Sequence, residues 1–358
     1  MICKSARYEK FRNIQSADIT FCDGINIIYG DNAVGKTSAI EGIYLCALGR
    51  SHRTSKEKDF IKFGEEAARV QLTYEDSRRQ NTLAMAWSQR GRKQCMKNGV
   101  LIRKMSEFIG NFRAVLFTPE HLSIIKDGPA LRRAFLDNAM SQLDPLYVAA
   151  LQRYHAVLQQ RNSVLQNAQK DPSLLDTIEI WSRQLADEAA IISQKREEYV
   201  KRCEGYVKDF FLDMTDGREI PSFTYSGAKE ADEYYRLLTE NTVKEMHYGS
   251  TLYGIHKDDI TVLLNGKEAR SFASQGQQRS LSLAMKLAEG EISREESREY
   301  PVFLFDDVLS ELDAKRKQYV MEGLSSRQVI ITTCERDIFP SNSFRINVKD
   351  GVFKEDSR

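Results

Sequence analysis

Three short runs hold the side chains best suited to chemistry: Gly30-Asp31-Asn32-Ala33-Val34-Gly35-Lys36-Thr37, then Ser274-Gln275-Gly276-Gln277, then Asp306-Asp307. The first satisfies G-x-x-x-x-G-K-[ST] at every fixed position. Glycines in such a turn let backbone N–H groups point inward at phosphate oxygens, and a following helix adds the positive end of its dipole. Lys36 would reach the β- and γ-phosphates of ATP, and the Thr37 hydroxyl would hold Mg²⁺. Asp306 would hold the same ion from the opposite side, usually through water. Asp307 would stand beside the γ-phosphate and orient an attacking water. Two solvent-facing acids after an edge strand are the plainer reading of that pair.

Such groups act only if the right elements carry them. Ile25-Asn26-Ile27-Ile28-Tyr29 reads as a buried strand running into the loop, and Ser38 to Leu45 as the helix leaving it. Val302-Phe303-Leu304-Phe305 reads as a second buried strand, delivering Asp306 to its C-terminal end, where ligands of open α/β sheets sit. Ser274 and Gly276 precede a helix expected over about 280–290, whose N-terminus would be a second anion site. Taken alone, Ser-Gln-Gly-Gln is a polar helix cap. Placed between the other two runs, it is similar to the signature of ABC-type ATPases, where it faces the γ-phosphate bound by another subunit. Small kinases and GTPases lack it. On this reading Lys36, Thr37 and Asp306 of one copy are completed by Ser274, Gly276 and Gln277 of a second, so ATP would drive a homodimer.

Further blocks resemble those of the bacterial RecF recombination-repair family. Phe11-Arg12-Asn13 resembles its F-R-N, and Asp31-Asn32, Gly35-Lys36-Thr37 and Glu41 its G-D-N-x-x-G-K-T run with a following Glu. Gly49-Arg50-Ser51-His52-Arg53 is similar to G-R-S-x-R, and Gly128-Pro129, Arg132-Arg133 and Phe135-Leu136-Asp137 to G-P-x-x-R-R-x-F-L-D. Ala273 to Arg279 and Asp306 to Asp313 match the last two blocks. Ala33-Val34 replace Gly-Gln, and Gly254-Ile255-His256-Lys257-Asp258-Asp259 replaces G-P-H-R-D-D. The resemblance implies an α/β fold: an ABC/SMC-like P-loop ATPase head with a β-rich lobe, interrupted by a helical insertion. It also implies binding to single- and double-stranded DNA, recombination-mediator partners (RecR, RecO), aid to recombinase loading at single-strand gaps, and a link to the DNA-damage (SOS) response. Arg12 is expected at the nucleotide, and Asp313 at the partner subunit.

Charge does not point to DNA unaided: 52 basic residues balance 51 acidic ones for a net +1. Any grip on DNA must come from local clusters. The candidates are Arg50, Arg53, Lys56 and Lys58, then Arg90, Arg92 and Lys93, and the pair Arg132-Arg133. Such a surface would hold phosphates and shape with little sequence preference. Six cysteines without paired spacing argue for a reducing cytoplasm rather than disulfides or zinc. No run approaches the ~20 apolar residues of a membrane span.

Between the β-rich stretch ending near Phe117 and the Ser274 run, the apolar period changes. Leu151, Tyr154, Leu158 and Leu165 share one helical face; Ile178, Trp181, Leu185, Ile192, Tyr199, Tyr206 and Phe210 share another beyond a turn at 170–173. This is a helical hairpin with short coiled-coil character, either protruding or packed in a lobe. The expected division is a head from residues 1–117 and 248–358, split by an insertion over 118–247. Asn98-Gly99 and Asn265-Gly266 mark hairpin turns. Thr332-Thr333 stands where related ATPases place a γ-phosphate sensor, and a plain strand end fits it equally. Slow turnover is expected, because Asp307 is one methylene shorter than the Glu of many ABC-type ATPases. The rival readings are the ATPase subunit of a membrane transporter and a nucleotide kinase.

Overall fold

Ile2–Phe11 (β1) and Ile14–Thr20 (β2) form an antiparallel hairpin closed by Arg12-Asn13, with Phe11 opposite Ile14. The computed structural model describes residues 1–168, 170–215, 217, 219–335 and 343–356. Ile25–Gly30 (β3), almost wholly buried, leaves this hairpin for another sheet and runs into the phosphate loop, from which Lys36–Leu48 (α1) emerges. Ala67–Glu75 (β4), Gln80–Ser88 (β5), Gln94–Lys97 (β6) and Val100–Ile102 (β7) extend the first sheet in the order β2-β1-β4-β5-β6-β7. Asn98 and Gly99 turn between β6 and β7 with φ of 51° and 78°, the left-handed pair a two-residue hairpin requires.

Met105–Phe108 (α2) and Ala114–Phe117 (β8) lead into the helical insertion: Pro129–Leu143 (α3), Pro145–Asn167 (α4) and Ile178–Thr215 (α5). After these come Pro221–Tyr225 (β9), Ala231–Glu240 (α6) and Thr242–Tyr248 (α7). β9 pairs with Ile260–Leu264 (β10), beside Lys267–Glu268 (β11), so one ladder joins residues on both sides of position 247. The chain then forms Ala269–Phe272 (α8), Gln275–Ser297 (α9), Val302–Asp306 (β12), Ala314–Gly323 (α10) and Val329–Thr333 (β13). Phe344–Lys349 (β14) and Val352–Glu355 (β15) follow. The second large sheet runs β15-β14-β3-β13-β12-β8, parallel throughout except for β15.

This parallel sheet is covered on both faces, which explains strands with no polar side. Ile28, Leu304 and Ile330 face α1 and the antiparallel sheet, whereas Ile27, Phe305 and Ile331 face α9 and the insertion. α1 is thus clamped between two sheets and buried along nearly its whole length. Gly42 permits that approach, since a Cβ there would lie 2.4 Å from the Tyr8 ring.

The hairpin of α4 and α5 packs as a lobe. α5 lays Leu185, Ile192, Tyr199 and Phe211 into the core shared with α4, α6 and α9. Buried ions fasten it. Arg161 meets Glu245 at 2.6 Å with both side chains fully buried, and Arg196 meets Asp137 at 2.7 Å and donates to the Ile255 carbonyl. Here the Phe-Leu-Asp run of α3 finds its physical role.

Candidate nucleotide site

The loop after β3 needs an unusual backbone. Gly35 sits at φ 116° and Ala33 at φ 65°, a left-handed position that is strained for a residue with a Cβ. Asn13 braces it, donating from Nδ2 to the Ala33 carbonyl at 2.9 Å and accepting from the Ser38 hydroxyl at 2.9 Å. Lys36, nearly buried, donates from Nζ to the carbonyls of Gly30 (2.8 Å) and Asp31 (2.7 Å) and lies 3.4 Å from Cys334 Sγ. Its ammonium therefore stays over its own loop.

β12 and β13 bring the acids to that point. Asp306 Oδ1 accepts from Thr37 Oγ1 at 3.0 Å and from Thr332 Oγ1 at 2.6 Å. Thr332 thus orients the carboxylate. Asp307 turns out of the strand at φ 54°, held by its N–H on Thr332, with an exposed side chain. Partial burial pushes its carboxyl up, Lys36 opposes that, and Glu335 and Glu311 add to it.

Two segments converge on Glu41, one turn into α1: the turn after β1 and the loop after α1. Arg12 grips it bidentately at 2.9 and 2.6 Å, Arg53 pairs with it at 3.2 Å, and the Ser51 hydroxyl donates at 2.5 Å. Burial alone would raise the Glu41 carboxyl. The Arg12 fork, the Ser51 hydroxyl and the Arg53 charge outweigh it and hold it below the usual range. Sequence reasoning missed this hub, although Glu41, Arg12, Ser51 and Arg53 all fall in recognised blocks. It also missed Asn13 as a brace and Cys334 beside Lys36.

A cavity of about 1100 Å³ opens in front, walled by Arg12, Lys36, Thr37, Arg53, Asp307 and the fully exposed Phe63, among others. Neither Ser274, Gly276 nor Gln277 belongs to that wall. Ser274 instead caps α9: its Oγ accepts from the Gln277 N–H at 3.3 Å, and Gln277 Oε1 accepts from the Ser274 N–H at 2.6 Å. The helix therefore starts at Gln275 rather than near 280. Gly276 lends its carbonyl to Arg316 at 2.7 Å, and Asp313 caps α10.

The basic candidates separate. Lys56, Lys58, Arg90 and Arg92 are exposed, and Arg50 holds Asn138 at 2.7 Å. Lys93 pairs with Glu57 at 2.6 Å, and Arg133 donates to the Asp258 carbonyl at 2.9 Å. Arg132 is a correction to the set expected at DNA. It is 3% exposed, forks onto Asp259 at 2.7 and 2.8 Å, and spends its remaining contacts on carbonyls of Ile124 and Asp127. A buried guanidinium so committed ties α3 to Asp259, the residue before β10, instead of facing the surface.

One carboxylate and one hydroxyl suit a Mg²⁺ that takes most of its oxygens from water and phosphate. No cluster of three or more His, Cys, Asp or Glu that could hold a metal occurs among the described residues.

Fold and site together define an ABC-type ATPase head of the SMC kind. Residues 2–356 match the family model described as RecF/RecN/SMC N terminal domain. The chain is 39% identical to DNA replication and repair protein RecF of Acetivibrio thermocellus, across 95% of each chain. It is 37% identical to that of Agathobacter rectalis, across 97% of this chain and 96% of the relative. The chain belongs to the RecF family. A solved structure of the recombination mediator protein RecF with ATP, in the RecFOR pathway, superposes with a TM-score of 0.91 at 33% identity, covering 99% and 98% of the two chains. The Smc head domain from Pyrococcus furiosus shares the fold, with a TM-score of 0.57 at 16% identity over 99% and 95% of the two chains. Family membership sets the transporter reading aside. Among the described residues, no helix is long and apolar enough to cross a membrane.

Proposed function

We propose that this chain is an ATP-gated DNA-binding protein of recombinational repair and replication, working in the cytoplasm. The observation that carries the reading is the division of the site. Lys36, Thr37, Asp306 and Asp307 gather at one cavity, while the capped N-terminus of α9 stands outside its wall. A phosphate chain in the loop would meet the α9 end of a second copy, giving a homodimer with two shared sites. Arg12, Lys36 and the loop residues Gly30 to Thr37 serve the nucleotide. Thr37 and Asp306 would hold Mg²⁺, which would neutralise phosphate charge. Asp307 serves a slow hydrolysis that times release.

The names borne by the relatives support replication and repair, and the pathway named for the solved RecF structures supports RecO and RecR as mediator partners. Lys56, Lys58, Arg90, Arg92 and Arg50 are the phosphate contacts proposed for single- and double-stranded DNA; Arg53 is assigned to the nucleotide wall. Six free thiols suit a reducing compartment. The test is duplex and gapped DNA binding with and without ATP, alongside sedimentation. ATP should tighten binding and produce a dimer together. Tight DNA binding by a monomer, indifferent to ATP, would refute the gate.

A further inference from the structure

Phe63 is the most exposed large apolar side chain among the described residues, at 102%, and it lies on the wall of the nucleotide cavity. An exposed ring elsewhere on a surface is ordinary. Its neighbours in sequence turn the other way. Phe60 is buried against the rings of Phe11 and Trp87, and Ile61 is buried in a bridge to Phe11. Among the described residues, Phe63 is also the only aromatic side chain on that wall.

The backbone under the ring is fixed. The Lys62 N–H donates to the Lys10 carbonyl at 2.8 Å, and the Glu65 N–H closes a turn onto the Lys62 carbonyl at 3.0 Å. The Glu65 carboxylate meets Lys10 Nζ at 2.7 Å. Gly64, at φ 83°, takes the left-handed third position that a type II turn demands, which leaves Phe63 at the tip. The same turn is tied to the phosphate loop. Lys62 Nζ donates to the Asn13 carbonyl at 3.4 Å, and Asn13 Nδ2 donates to the Ala33 carbonyl at 2.9 Å. A short chain of contacts thus runs from the loop, through Asn13 and Lys62, to the turn that carries the ring.

We propose that Phe63 is the platform on which the base of the bound nucleotide stacks. The proposal rests on the reading that the triphosphate fills the loop from Gly30 to Thr37, and it names what holds the other end of the ligand. The loop N–H groups, Lys36 and Arg12 suit phosphate oxygens. A purine offers instead a flat π face, which an aromatic ring accepts. A side chain on a braced turn has little backbone freedom left to lose when the base docks. Stacking reads the face of a base and not its edge, so Phe63 raises affinity for adenine and guanine nucleotides alike.

Titration calorimetry of the full chain with Mg²⁺ tests this, using ATP and, as a base-free probe, inorganic tripolyphosphate. Wild type should bind ATP more tightly than tripolyphosphate. Phe63→Ala should weaken ATP by roughly tenfold, the effect of losing one base–aromatic stack, and leave tripolyphosphate affinity unchanged. Phe63→Trp, which keeps a π face, should restore ATP binding. A triphosphate of 2-aminopurine riboside should lose fluorescence on wild type and keep it on Phe63→Ala. Equal losses for ATP and tripolyphosphate would make Phe63 a support of the cavity wall and overturn the stack. Unaltered ATP affinity in Phe63→Ala overturns it as well, and a weakened dimer in that same variant would hand the ring to a second copy of the chain. Wild type that binds neither ligand sinks the nucleotide-site reading itself.

Discussion

Lys36 is the residue whose loss should be felt first. It is nearly buried, committed to two carbonyls of its own loop, and placed to put one positive charge at the phosphates. Lys36→Met keeps the volume and should cost about 2–3 kcal/mol of ATP binding, the worth of one charge-assisted contact. Isothermal titration checks it, and unaltered affinity would remove the phosphate loop from the mechanism. Asp307 offers a cleaner separation of roles. Its φ of 54° is a conformation Asn adopts at least as readily, so Asp307→Asn should leave the backbone intact. Asp306 and Thr37 are untouched, and ATP should bind near normally. Hydrolysis should fall a hundredfold or more, roughly the ~3 kcal/mol of one preorganised electrostatic contact. In a turnover assay beside sedimentation, the dimer should persist long after the wild-type dimer has dissociated. A wild-type rate would mean that Asp307 does not orient the water.

At the scale of elements, the G-x-H-x-D-D block is a joint rather than a site. His256 accepts at Nδ1 from the Tyr154 hydroxyl (2.6 Å) and donates from Nε2 to the Thr251 carbonyl (3.0 Å), while Asp259 anchors Arg132. Burial pushes the His256 pKa down to about 4, and Lys257, Arg133 and His155 push the same way; the Thr251 hydrogen bond opposes them. The unfolded chain therefore binds a proton that the folded chain refuses between pH about 6.5 and 4, and stability falls as pH is lowered through that window. The loss amounts to about 3 kcal/mol by pH 4. His256→Gln should flatten it, read as a smaller drop in the urea midpoint between pH 7 and 4. An acid profile identical to wild type would assign the sensitivity elsewhere. This joint also marks where legibility ended. The phosphate loop, both Asn-Gly hairpins and the helical hairpin were readable because each is local: a motif with fixed spacing or an unbroken period. The long-range pair Thr37–Asp306 was readable only because each member stands in such a motif with a role at the same Mg²⁺. Glu41 as a hub, and Arg132 as a buried anchor, were not. Their meaning depends on partners at Arg12, Arg53 and Asp259 that only tertiary packing brings near. Whether the hairpin protruded was equally illegible, because an apolar stripe looks the same whether it faces a second coil or the α9 surface.

For the whole molecule, near-neutral charge makes DNA affinity a matter of placement. Arg90 and Arg92 rise exposed from the turn between β5 and β6, away from the nucleotide cavity wall. Replacing both with Ala should lower the slope of log affinity against log salt by about 2 on duplex DNA, while ATP affinity holds. An unchanged slope would leave those two arginines merely solvated.

The order of the parallel sheet has a last consequence, for how the protein is made. The strand bearing the phosphate loop lies near the start of the chain, yet its neighbours β13 and β14 come near the end; Asn26 donates to the Val329 carbonyl across 303 residues. At ordinary ribosomal rates that separation is roughly 15 to 60 s of synthesis. Throughout it, β3 has no sheet partner and must be kept from pairing with foreign strands, while the β1–β2–β4–β5 sheet can already form around α1. The nascent chain thus carries a finished antiparallel platform and an unfinished catalytic floor, and competence for ATP arrives only when the closing strands emerge. A truncation late in translation would release a chain whose antiparallel platform is folded but which binds no nucleotide.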